Sequence, residues 1–103
     1  MHIVILITTA DKEESERIAK ALLEAKLAAC VNISDKISSF FWWQGKIDSA
    51  KENLLIVKTA RSKLAKVIKT VKSLHSYTVP EIIALPIIGG NKDYLNWIDE
   101  SVV

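Results

Sequence analysis

The sequence predicts an α+β fold: one antiparallel four-stranded sheet, read as β-α-β-β-α-β with a further helix at the C-terminus. Three observations carry this. Two stretches of helical period each lie between runs of strand period. The second strand-period run is far longer than a small sheet needs. The two prolines near the last strand fit a sheet edge. The first six elements follow the split βαβ, or ferredoxin-like, plan, and all 103 residues form one domain of ordinary size.

His2–Thr9 is a continuous run of β-branched and apolar residues, the pattern of a central strand. Asp11 with Glu14 makes a helix N-cap and its third-position acid, and Glu13 and Glu16 suit the positive end of the same helix. Ile18, Ala21, Leu22 and Ala25 supply that helix's apolar face. From Leu27 the period becomes two. Ala29, Val31, Ile33, Ile37, Phe41 and Trp43 share one parity, while Cys30, Asn32, Ser34, Lys36 and Ser38 share the other. This predicts one long strand, kinked near Ser34 and Asp35. Residues 44–53, QGKIDSAKEN, read as a turn region, and Leu54–Thr59 as the third strand. Ser62 is placed as the cap of a second helix whose face is Leu64, Val67, Ile68, Val71 and Leu74. Val79–Ile87 is the fourth strand. Asn91 caps a last helix bearing Tyr94, Leu95, Trp97 and Ile98. Pro80 and Pro86 share a parity, so both missing N–H groups point to one side, which an edge strand tolerates.

Composition narrows the functional classes. Half the residues are hydrophobic and 25% are charged, as in a folded protein, and a net charge of +2 is too small to hold the chain on nucleic acid or a membrane by itself. The single cysteine, Cys30, forms no internal disulfide and predicts a reducing, cytoplasmic setting. The apolar start is too short for a membrane span, and DKEESE follows it at once. The lysines of the second helix, Lys63, Lys66, Lys69 and Lys72, read as its solvated side. The central strands lack the base-stacking aromatics of ferredoxin-like RNA binders. No set of nucleophile, base and orienting group can be assembled, so the sequence predicts neither an enzyme nor an organic cofactor.

Two stretches stand out. FFWW (40–43) holds four of the seven aromatics on consecutive positions, so both faces of the strand are aromatic there, and Phe40, Phe41, Trp42 and Trp43 predict a homo-oligomer interface built by strand pairing. HSYTVPEIIALPI (75–87) places His75 at a helix end, where a protonated imidazole is favoured. It also places Glu81 on the parity of Val79, Ile83 and Leu85, facing an apolar layer or a pocket. A carboxylate there needs a cation or a donor, and Lys58 is its natural partner. Cys30 is either a small buried hydrophobe or a soft ligand suited to Cu(I) or zinc.

These stretches, with ACVNI (29–33), WWQGKI (42–47) and IVKT (56–59), closely resemble the CutA family of divalent-cation tolerance proteins over nearly the whole chain. The resemblance implies a homotrimer akin to the PII signalling proteins. It also implies an inter-subunit pocket lined by Cys30, Trp43, Lys58, His75, Tyr77 and Glu81, and association with copper or another divalent cation. On that basis His75 and Glu81 are the expected metal ligands, with Cys30 a separate or Cu(I)-selective contributor. The alternative is a PII-like sensor or scaffold that binds a small anion through Lys58. Where the family pattern has a proline and an acidic residue flanking the tyrosine, this chain has Ser76 and Thr78. Phe41 stands where tyrosine is common.

Overall fold

Alternation along β1 (His2–Thr9) sorts its side chains between two layers. Ile3, Ile5 and Ile7 are buried under the helices, while Val4 and Leu6 on the opposite face are only half-covered. The computed structural model describes all 103 residues. After β1 come α1 (Lys12–Glu24), β2 (Cys30–Trp43), β3 (Lys46–Ala60), a 3-10 turn (Arg61–Lys63), α2 (Leu64–Leu74), β4 (Ile82–Pro86) and α3 (Lys92–Ser101). Every strand pairing is antiparallel, in the order β2-β3-β1-β4, which is the split βαβ arrangement.

The core lies between one sheet face and the two helices α1 and α2. Ile18 and Leu22 from α1, and Val67 and Val71 from α2, meet Ile3, Ile5, Ile7, Leu55 and Val57. Ala19, not Ala21 or Ala25, completes the buried stripe of α1. Asp11 caps α1 as expected, accepting the Glu14 N–H at 2.8 Å, and Asn91 caps α3 by accepting the Asp93 N–H at 3.0 Å. Ser62 does not cap α2: it sits inside the 3-10 turn, and Lys63 holds the cap position without a side-chain bond. The third helix lies across the other sheet face, where Asp99 meets His2 at 2.9 Å and Ile98 is fully buried.

Three boundaries differ from the sequence reading. β2 begins at Cys30, because Leu27 and Ala28 are buried in the connection, where the Leu27 carbonyl accepts the Thr59 hydroxyl at 2.7 Å. β3 begins at Lys46, so most of 44–53 is strand. Only Gln44 and Gly45 turn, both with left-handed φ (50° and 77°), the two-residue hairpin geometry. The polar composition that looked like a loop reflects a ribbon largely open to solvent. β4 is Ile82–Pro86, which leaves Pro80 outside the strand. The edge argument survives through Pro86. The Ile87 N–H donates to the His2 carbonyl at 2.9 Å, so the preceding residue's nitrogen faces away from β1.

The expected kink in β2 is a β-bulge. Ser34 pairs with Leu54 but Ile37 pairs with Glu52, so β2 carries one extra residue there, and Lys36 takes φ 58°. The insertion reverses the parity of everything after it. Val31 and Ile33 face the helices, whereas Ile37, Phe41 and Trp43 face the other side, with Cys30 and Asn32. The single apolar parity read from the sequence is therefore split between two faces. Asn53, opposite the bulge, accepts the Lys36 N–H at 3.3 Å and donates to Ser15 Oγ at 3.3 Å, and Ser15 in turn meets Thr9 Oγ1. Asn53→Ala removes the acceptor of the Lys36 N–H at the bulge and one of the partners of Ser15 Oγ, which keeps Thr9 and the Asp11 carbonyl. It is expected to cost about 1–3 kcal/mol in chemical denaturation and to speed amide exchange at Lys36. Leu22→Ala, which empties the centre of the core, is expected to cost about 2–5 kcal/mol in the same measurement.

Candidate functional site

The bulge aims the second half of β2 at the segment between α2 and β4, and an open groove of about 910 Å³ lies between them. One wall is the outer hairpin, with Phe41, Trp43 and Asp48. The other is the connecting segment, with Tyr77 and Glu81, and Glu52 sits at the floor. No lysine, arginine or histidine lines this groove.

Glu52 is 7% exposed and has no basic partner. Its side-chain hydrogen bond comes from the Tyr77 hydroxyl, which donates to Oε2 at 2.8 Å. Burial and then this bond to a carboxylate push the Tyr77 phenol up to about 12, so it stays a donor. Glu81 is an exposed residue, yet partial desolvation by the groove wall pushes its carboxyl up, and the Glu52 charge adds to the shift. Two carboxylates thus share one end of the groove without a counter-charge.

His75 is not on the groove surface. It is the C-cap of α2, in extended conformation, one step beyond the last turn, with its N–H on the Val71 carbonyl at 2.9 Å. Its side chain has no exposure. Nε2 meets the Thr8 carbonyl at 2.7 Å, and Nδ1 accepts the Tyr77 N–H at 3.0 Å. Glu14, also buried, accepts the Ala10 N–H at 3.1 Å through Oε1 and the Ser76 N–H at 2.7 Å through Oε2. Burial alone would push the Glu14 carboxyl up, but these donors hold it below its ordinary value.

Cys30 and Lys58 lie elsewhere on the same sheet face. They are register partners, and Lys58 Nζ approaches Cys30 Sγ at 4.0 Å and donates to Asn32 Oδ1. Tyr94 of α3 borders this cluster, and its phenol is pushed up by partial desolvation and by Cys30. Lys58 lies six residues from Glu52 along β3, about 20 Å, and it has no carboxylate partner. The expected Lys58–Glu81 pair therefore does not form within the protomer. Nor do His75, Glu81 and Cys30 converge: no three histidine, cysteine or acidic side chains of the chain come together as a metal-holding group. Phe40 and Trp42, 76% and 73% exposed, stand on the face opposite Phe41 and Trp43, which the groove partly covers.

Sequence reasoning missed Glu52, Asp48 and Glu14's second role. The signal for the first two was present, since Asp48, Ala50 and Glu52 continue the parity of Leu54, Ile56 and Lys58. Reading 44–53 as a turn hid it.

The model of the CutA1 divalent ion tolerance protein family matches residues 3–101. The divalent-cation tolerance protein CutA of Archaeoglobus fulgidus is 59% identical over 102 residues, covering 99% of both chains. A solved structure from that organism, described as a periplasmic divalent cation tolerance protein, superposes with a TM-score of 0.97 at 58% identity over the whole of both chains. The divalent cation tolerance protein of Thermus thermophilus gives a TM-score of 0.98 at 48% identity, again over the full length of both. Each of these relatives spans the same elements in full, so neither the long hairpin nor the 75–81 segment is peculiar to this chain. The chain belongs to the CutA1 divalent ion tolerance family.

Proposed function

We propose that this protein is a homotrimer that binds copper or another divalent cation in a pocket shared between subunits, with Glu81 and Glu52 as oxygen ligands. One observation carries the reading: two neighbouring carboxylates at the end of a groove that no basic side chain lines. Carboxylate oxygens fit divalent ions, and among first-row metals such a site holds Cu(II) most tightly. Cys30 is a soft thiol suited to Cu(I). It joins the site only if a neighbouring subunit supplies it, since within one protomer it lies with Lys58.

The trimer is supported by what one protomer leaves open. Phe40, Phe41, Trp42 and Trp43 are exposed on both faces of the hairpin, and Ile83 and Leu85 are half-exposed on the open sheet face. The acidic end and the Lys58 end of that face are unpaired and of opposite charge. Head-to-tail packing brings one onto the other, and such heterologous contacts close into rings. One ammonium against Asp48, Glu52 and Glu81 still leaves net negative charge for a cation. A binding role, not a catalytic one, fits this arrangement, and the free thiol of Cys30 favours a reducing, cytoplasmic setting. A second reading, a PII-like sensor of a small anion, is favoured by one observation: Lys58 has only the neutral groups of Asn32 and Cys30 beside it.

A Cu(II) titration against a competing chelator separates these. Glu81→Gln and Glu52→Gln are expected each to weaken binding by about tenfold or more, and Cys30→Ser to leave Cu(II) binding nearly unchanged. Binding indifferent to both glutamate changes overturns the assignment, and protection of the assembly against heat by phosphate, lost in Lys58→Ala, supports the anion sensor. Because the Glu81 carboxyl is raised above its ordinary 4.5, protons compete for it above that value, and Cu(II) affinity is expected to fall on acidification before an ordinary carboxylate would titrate. Sedimentation equilibrium is expected to give three times the protomer mass; a stable monomer at micromolar concentration sinks the trimer.

A further inference from the structure

The ring of His75 has no lone pair to spare. A carbonyl oxygen only accepts, so the 2.7 Å contact between Nε2 and the Thr8 carbonyl puts the proton on Nε2. The Tyr77 N–H points at Nδ1 at 3.0 Å, so the single lone pair of the neutral ring is already engaged. The Glu14 carboxylate lies 4.0 Å from Nδ1, beyond hydrogen-bond distance, so the Tyr77 amide is the nearer partner of that nitrogen. With the side chain wholly enclosed, coordination of any metal would first break one of two buried hydrogen bonds.

We infer that His75 is a positioning residue that latches the Tyr77–Glu81 segment to β1, and that it is not a metal ligand. The inference rests on the proposed cation site for its second half; the latch stands on the hydrogen-bond geometry alone. Successive amides of one segment are captured from two sides: the Ser76 N–H by Glu14 of α1, and the Tyr77 N–H by His75, itself anchored on β1. This fixes the backbone from which the Tyr77 hydroxyl reaches Glu52 at 2.8 Å, four residues before Glu81. The ring's titratable neighbours are Glu14 and Tyr77, the latter with its ring tilted by 50° at a centroid distance of 4.7 Å.

Nitrogen NMR of the two histidines and carbon NMR of the glutamate carboxylates in the unaltered protein, before and after Zn(II), test this directly. The expected result is an Nε2–H tautomer at His75 whose nitrogen shifts stay in place while the Glu52 and Glu81 carboxylate signals move. A proton on Nδ1 overturns the latch, and a metal-induced shift at either His75 nitrogen overturns the exclusion of His75 as a ligand. If Zn(II) moves no carboxylate signal, the cation site fails on its own. The latch is then decided by amide exchange at Tyr77. His75→Asn, whose carbonyl can stand where Nδ1 stood, should keep that amide's protection within about threefold, whereas His75→Gln should lose at least about tenfold. Equal protection in both variants overturns it.

Discussion

The carboxylate of Glu14 ties the junction of β1 and α1 to a segment some sixty residues further along the chain. One oxygen receives the Ala10 N–H at the end of β1, and the other receives the Ser76 N–H at the start of the segment leading to β4. Its own backbone N–H is held by the Asp11 side chain. A buried carboxylate must be satisfied by donors, and here the donors are backbone groups that would otherwise be orphaned at a helix start and at a helix exit. Satisfying the charge and fixing the site's approach are thus one event. The helix cannot shift along the sheet without stranding that charge, and Tyr77 and Glu81 inherit their positions from it.

A second constraint acts through the β-bulge at Asp35 and Lys36. An extra residue in an edge strand reverses which side chains face which layer, and it does so where the helices end and the hairpin projects beyond them. Before the bulge, Val31 and Ile33 complete the core. After it, Ile37, Phe41 and Trp43 turn to the open face, where Phe41 and Trp43 line the groove. The molecule spans 44 × 25 × 22 Å because this ribbon extends beyond what the two helices can cover. The network of Asn53, Ser15 and Thr9 holds the changeover in place with buried polar groups, all of which are satisfied.

What could be read from the sequence, and what could not, follows from how local each determinant is. The element order, the caps at Asp11 and Asn91, the core positions Ile18, Leu22, Val67 and Val71 and the edge position of β4 depend on spacing within a few residues, and each was legible. The kink in β2 was legible as a break in pattern, but its effect on parity was not, because one inserted residue leaves composition unchanged while swapping faces. Residues 46–53 misled for a physical reason: a two-stranded ribbon open to solvent on both sides selects polar residues, and so does a loop. His75 and Glu14 were visible as a helix-end histidine and a capping acid. That they meet at the same segment is a tertiary fact, since Glu14 and Ser76 are 62 residues apart, beyond any local pattern.

The bulge also bears on the aggregation hazard that an exposed ribbon with four adjacent aromatics carries. Flat, uninterrupted strand edges rich in Phe and Trp are templates for open-ended β-addition, in which each added chain presents the same edge to the next. Here the free edge of β2 is broken by a residue in left-handed conformation. An incoming strand can keep register along the outer ribbon or along the inner half, but not through both. Pairing partners are therefore limited to short strands of matching length, which favours closed assemblies over fibrils. A distortion that serves to aim side chains thereby also acts as a safeguard against aggregation.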